Sequence, residues 1–75
     1  MKYEFEQEYK QIGLKISYYR KLRGLTQEKL AEKLGVATSY IGQIEAAGMY
    51  KPISLTTLLR IAQALDVPAY KFLEF

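Results

Sequence analysis

The spacing of apolar residues along this chain changes at a few points, and each change predicts an element. Residues 1–10, MKYEFEQEYK, alternate apolar with acidic positions. From Ile12 the spacing is helical: Ile12, Ile16, Tyr19 and Leu22 recur at i, i+4, i+7 and i+10, an apolar face flanked by Lys15, Arg20, Lys21 and Arg23. Leu14 falls off that stripe and is expected to be partly exposed. Gly24 stops the helix, and Leu25 inserts into the core at the corner. Thr26 is suited to cap a second helix, in which Leu30, Ala31 and Leu34 form a narrow stripe beside Gln27, Glu28, Lys29, Glu32 and Lys33. Gly35 ends it, because the left-handed conformation that closes a helix penalises a Cβ. Val36 drops into the core. The helical spacing then resumes at Tyr40, Ile41 and Ile44, with Thr38, Ser39, Gly42 and Gln43 opposite. Two helices joined by so short a glycine-containing turn cross steeply, Ala31 lets their backbones approach, and the second is presented outward.

Beyond Glu45 the stretch AAGMYKP reads as a loop bounded by Gly48 and Pro52. Ser54 caps a helix carrying Leu55, Leu58, Leu59, Ile61, Ala62 and Leu65. That set is too wide for a one-sided stripe and predicts a central helix packed from several directions, with Arg60 and Gln63 on its remaining outer face. Asp66 ends it. Val67-Pro68 starts a last short helix with Tyr70, Phe72, Leu73 and Phe75. One small core cannot take all of these, so Tyr70, Phe72, Leu73 and Phe75 are expected to form a homodimer interface. The alternative is that Phe72 and Leu73 cap the core while Phe75 is exposed. The pattern as a whole is all-α, one domain over residues 1–75, with an N-terminal extension at 1–10 and a helix-turn-helix at 26–46.

Composition narrows the chemistry. The chain has 75 residues, no Cys and no His, which removes disulfides, thiolate and imidazole catalysis and the usual zinc ligands. Without a nucleophile–base set, an enzyme is not expected, nor a metal, a cofactor or a small-molecule ligand. No apolar run approaches the length of a membrane span and no secretory leader is evident, so a soluble cytoplasmic protein is expected. The net charge is +3, but residues 1–8 hold one of the 11 Lys+Arg and three of the 8 Asp+Glu, which leaves 10 against 5, or +5, for the rest. That sign suits a polyanionic partner. The acidic start reads as an extension of the first helix or a partly ordered arm. An acidic lip that repels a polyanion from the wrong face or docks a partner, and a short strand pairing with a second subunit, are the other readings.

The run IGLKISYYRKLRGLTQEKLAEKLGVATSYIGQIE, continued by KPISLTTLLRIAQALDV, resembles the phage repressor and Cro-like (XRE) family of DNA-binding domains over about residues 12–73. The residues that carry the likeness are Leu25-Thr26-Gln27, Leu30-Ala31, Leu34-Gly35-Val36, Tyr40-Ile41 and Ile44-Glu45. The resemblance implies a compact five-helix, lambda-repressor-like domain whose helix at about 38–46 lies in the DNA major groove. It also implies an ion pair between Arg20 on the first helix and Glu45 at the end of the recognition helix, and a phosphate contact for Lys51.

On that frame the residues take distinct roles. Gln27 opens its helix, where free backbone N–H groups and the helix dipole favour a phosphate. Thr38, Ser39 and Gln43 project toward base edges; Gln pairs with adenine N6 and N7 and a Thr methyl packs on thymine, so A·T pairs are expected. Tyr40 packs its ring at the hinge and offers its hydroxyl to a phosphate. Lys51, Arg23 and Lys10 supply cationic contacts. The face from Ala37 to Ala46 holds no Lys or Arg, and Ala37 stands where the family often has a Ser or Thr cap. Both are tolerable with two subunits on a palindromic operator, since tethering makes the second contact intramolecular, though the missing cations favour the competing class below. The expectation is therefore a sequence-specific transcriptional regulator, a small homodimeric repressor. The competing class is an antitoxin-like or regulator-sequestering interaction module with weak DNA binding.

Overall fold

The computed structural model describes residues 4–75, so residues 1–3 of the alternating segment lie outside it. Four α-helices follow in order, α1 Glu6–Leu22, α2 Gln27–Leu34, α3 Thr38–Glu45 and α4 Leu55–Leu65, then a 3₁₀ helix at Ala69–Leu73. The fifth helix expected from the family is thus a 3₁₀ helix rather than an α-helix. It spans five residues after Pro68, closed by an i→i+3 bond from Lys71 N–H to Pro68 O at 3.0 Å. No strand occurs among the described residues, and α1 is already continuous from Glu6.

Helix boundaries follow the local chemistry. Thr26 Oγ1 accepts from Lys29 N–H at 3.0 Å and Ser54 Oγ from Thr57 N–H at 3.1 Å, each satisfying an amide that the first turn leaves open. Gly35 ends α2 at φ 71°, while Val36 N–H bonds Ala31 O and Gly35 N–H bonds Glu32 O, the paired closure of a left-handed C-terminus. Asp66 closes α4 in the same conformation, φ 55°, with matching bonds from Val67 to Ala62 and from Asp66 to Gln63.

The core is built from Ile12 and Ile16 of α1, Leu30, Ala31 and Leu34 of α2, Ile41 and Ile44 of α3, and Leu58, Ile61, Ala62 and Leu65 of α4, with Val67 and Phe72. Leu25 and Val36 are only half-buried against it. Two expectations change. Leu22 is 59% exposed, because ten residues at 3.6 per turn leave it about 80° short of the direction of Ile12, and Arg20 takes the buried place instead. In α4, Leu55 and Leu59 are 65% and 49% exposed: the helix is packed on one side only, and these leucines sit on its open face.

Phe72 is fully buried, edge-on to Tyr19 with ring centroids 5.3 Å apart. It is a core plug and therefore not part of a surface with Tyr70, Leu73 and Phe75, which are all exposed.

Two arginines tie the helix ends together. Arg23 donates from Nε to Leu65 O at 2.8 Å and from Nη2 to Asp66 O at 3.0 Å, and Arg60 donates from Nη2 to Leu34 O. Each guanidinium meets carbonyls that a helix C-terminus leaves without intrahelical partners.

Candidate nucleic-acid interface

The outward face of α3 is held at its end by one carboxylate. Glu45, the last residue of α3, would lie unfavourably at the negative end of the helix dipole without a cation. Arg20 supplies it: Nε donates to Glu45 Oε2 at 2.7 Å and Nη2 to Oε1 at 2.9 Å, with the two side chains 8% and 4% exposed. The fork is bidentate, the strong geometry for this pair. Arg20 Nη1 also donates to Leu25 O at 2.7 Å, which fixes the corner between α1 and α2. Hydrogen bonding to the Glu45 carboxylate raises the Arg20 pKa above its ordinary value, against the opposing effect of burial, so the guanidinium is charged throughout the neutral range.

Gln27 joins the same carboxylate, Nε2 donating to Glu45 Oε1 at 3.1 Å. Its Oε1 lies 3.5 Å from where a Cβ on Gly42 would be, so the carboxamide rests across the first turn of α2 and the middle of α3. One group thereby connects α1, α2 and α3. Thr38, Ser39 and Gln43 are exposed on the face away from the core, with half-buried Gly42 between them, while Ile41 and Ile44 point inward. Ala37 precedes the helix without a side-chain cap, as the sequence indicated; Tyr40 N–H bonds Ala37 O at 3.0 Å.

The loop after α3 brings a cation to this face. Lys51 Nζ stands 5.6 Å from the centroid of the half-buried Tyr40 ring, a cation–π distance. Tyr50, one residue earlier, anchors the loop to the start of α1: its hydroxyl donates to Glu4 O at 2.9 Å and its ring meets Tyr9 edge-on at 6.1 Å. Gln27, Tyr40, Lys51 and the α3 face therefore form one surface.

Arg23 and Lys10 are differently placed. The guanidinium of Arg23 is turned to the end of α4, and Lys10 Nζ pairs with Glu6 Oε2 at 3.4 Å within α1.

Sequence reasoning passed over Gly13. A Cβ there would fall 2.1 Å from Ile44 O, so it is glycine that lets α1 and α3 approach closely enough for the Arg20 fork to close. The signal was a glycine inside a run that is otherwise helical, which costs about 1 kcal/mol unless packing requires it. Among the described residues no cluster of His, Cys, Asp or Glu could hold a metal, and no helix is long and apolar enough to cross a membrane.

Comparison with known proteins agrees with this geometry. A family model described as helix-turn-helix matches residues 16–72. The HTH-type transcriptional regulator SinR of Bacillus subtilis is 40% identical over 63 residues, covering 84% of this chain and 56% of SinR, so the chain spans about half the length of that relative. An uncharacterized HTH-type transcriptional regulator of Methanocaldococcus jannaschii is 49% identical over 53 residues, 71% of this chain and 77% of that protein. Among solved structures, the restriction-modification controller protein C.AhdI from Aeromonas hydrophila superposes with a TM-score of 0.79 at 30% identity, covering 88% of this chain and 97% of that one. SinR, the master regulator for biofilm formation, solved in complex with DNA, superposes with a TM-score of 0.74 at 40% identity, covering 84% and 98%. The chain belongs to the phage repressor and Cro-like (XRE) helix-turn-helix family.

Proposed function

We propose that the chain is a sequence-specific DNA-binding transcriptional regulator, a homodimeric repressor that acts in the cytoplasm and reads the major groove with α3. The observation that carries this reading is the surface made by Gln27, Thr38, Ser39, Gln43, Tyr40 and Lys51, anchored through Glu45 and Arg20. Support comes from SinR, whose structure was solved in complex with DNA. In this reading the backbone amides at the start of α2 and the Gln27 carboxamide take one phosphate, and Lys51 with the Tyr40 hydroxyl takes another. Thr38 and Gln43 meet A·T edges, and Ser39 adapts to several bases. Arg23 and Lys10, engaged elsewhere, serve at most as outlying charges. No catalytic step, cofactor or small-molecule ligand is assigned.

The homodimer is proposed on the exposed residues Tyr70, Leu73 and Phe75, joined by Leu55 and Leu59 of the open face of α4. Leu73 and Leu55 line one depression, which joins the C-terminal segment to the start of α4. A two-fold pair of subunits calls for a palindromic operator with half-sites about one helical turn apart.

One observation favours the second reading, a protein-interaction module with weak DNA binding: α3 exposes no cation. Fluorescence anisotropy of labelled random duplexes titrated at several salt concentrations separates the two. A steep loss of affinity with salt is expected, because phosphate neutralisation releases counterions. Absence of binding even at low salt overturns the DNA reading.

A further inference from the structure

We infer that the groove between α1 and the C-terminal 3₁₀ helix receives residues 4–8 of a second copy of this chain, head to tail. On the outer face of α1, Leu14, Tyr18 and Leu22 are 53%, 60% and 59% exposed at i, i+4 and i+8, a stripe the domain does not cover. Beside it lies a groove of about 440 Å³, with Leu14, Tyr18 and Tyr19 as its apolar lining, Lys15 and Lys71 on its walls and Glu74 as its one acidic residue. Lys21 is exposed on the next turn. Lys15, Lys21 and Lys71 have no carboxylate partner among the described residues.

The complementary chemistry is carried by the same chain. Glu4-Phe5-Glu6-Gln7-Glu8 surrounds a phenylalanine that is 66% exposed with three carboxylates, of which Glu6 pairs with Lys10 and Glu4 and Glu8 have no cation partner among the described residues. Its backbone is already ordered, since the Tyr50 hydroxyl holds Glu4 O at 2.9 Å and Phe5 turns the chain at φ 58° just before α1. Little backbone entropy of this segment remains to be lost on docking. The segment cannot fill its own groove, because Phe5 and Leu14 are nine residues apart, about 13 Å along α1. A two-fold pairing of α1 with its copy would set Lys15, Lys21 and Lys71 against the same lysines, which like-charge repulsion opposes. Acidic start to basic groove is the arrangement that matches apolar surface and charge together. Such a contact is heterologous, so each copy offers one acidic start and one basic groove and copies add head to tail. The groove shares no lining residue with the depression that holds Leu55 and Leu73, and the contact does not depend on the DNA reading.

Sedimentation velocity of the full chain, without DNA, at rising concentration and at low and high salt tests this. The expected result is a sedimentation coefficient that climbs with concentration and falls back in high salt. Phe5→Ser should raise the concentration at half-assembly about tenfold or more, as loss of a buried aromatic side chain implies. Lys15→Glu with Lys71→Glu should prevent growth, as should Glu4→Lys with Glu8→Lys, and mixing those two charge-reversed chains should restore association. Leu73→Asp should leave the salt-sensitive growth in place, and circular dichroism verifies that every variant remains helical. No concentration-dependent growth at low salt overturns the proposal, and so does growth that survives Phe5→Ser and both charge reversals.

Discussion

A methyl group on Gly13 would sit 2.1 Å from the carbonyl oxygen of Ile44. In an ordinary helix, replacing glycine by alanine stabilises by roughly 1 kcal/mol. Here the contact is with backbone of α3, which cannot rotate away, so the sign reverses. Gly13→Ala should destabilise by about 1–3 kcal/mol, the usual cost of overpacking, and the thermal midpoint followed by circular dichroism should fall by several degrees. An unchanged or higher midpoint would show that α1 and α3 have slack at this crossing.

The Arg20–Glu45 fork makes a second prediction. Glu45→Ala leaves a guanidinium buried without its carboxylate and removes the acceptor for Gln27. A loss of about 3–5 kcal/mol in urea unfolding is expected. Arg20→Met combined with Glu45→Leu should recover much of that loss, because desolvation of the two charges offsets most of their attraction. If both variants were equally unstable, the pair would contribute net stability rather than geometry. The raised Arg20 pKa means its contribution is fully present below the ordinary guanidinium range and is lost only under strongly alkaline conditions.

Much of this architecture was legible because local signals and core pattern agree in α2 and α3. Thr26, Gly35 and the stripe Leu30-Ala31-Leu34 each point to the same helix, and Ile41 and Ile44 face inward as their spacing requires. The failures occur where several elements compete for one space. Six apolar positions in α4 predict burial all round, but only one side has neighbours, which leaves Leu55 and Leu59 outside. Phe72 and Tyr70 look alike in sequence, and only the packed core, with Tyr19 edge-on to the Phe72 ring, shows that Phe72 is the one buried. Arg23 reads as a free cation until the end of α4 arrives beside it, since that contact joins residues 42 apart in the chain. The site surface was read from resemblance more than from spacing, and no periodicity announces that Lys51 will stand over Tyr40.

Asp66 gives a prediction of opposite sign. It ends α4 at φ 55°, where glycine has no Cβ to penalise and aspartate does. The bond from Arg23 goes to the main-chain oxygen of Asp66 and survives the change. Asp66→Gly should stabilise by up to about 1 kcal/mol, less the extra freedom glycine has in the unfolded chain. A higher urea midpoint at unchanged slope is the expected result. A lower midpoint would assign the Asp66 carboxylate a role that its hydrogen bonding does not reveal.

The last prediction separates reading from holding on the proposed DNA surface. Gln43 is exposed on α3 with a carboxamide that can pair with one base, whereas Lys51 carries a charge steadied over Tyr40. Gln43→Ala should cost about 1–3 kcal/mol on the preferred operator and relax discrimination at one position per half-site. Lys51→Ala should weaken every duplex to a similar degree and lower the slope of log affinity against log salt by about 1 per subunit. Tyr40→Leu should resemble Lys51→Ala in part, because the ammonium loses the ring that holds it at the proposed phosphate position. Binding of a randomised-operator pool, sequenced after selection with each variant, resolves these outcomes. A preferred site unchanged by Gln43→Ala would move base reading to Thr38 and Ser39. A Lys51→Ala effect confined to one sequence would mean that this lysine touches a base.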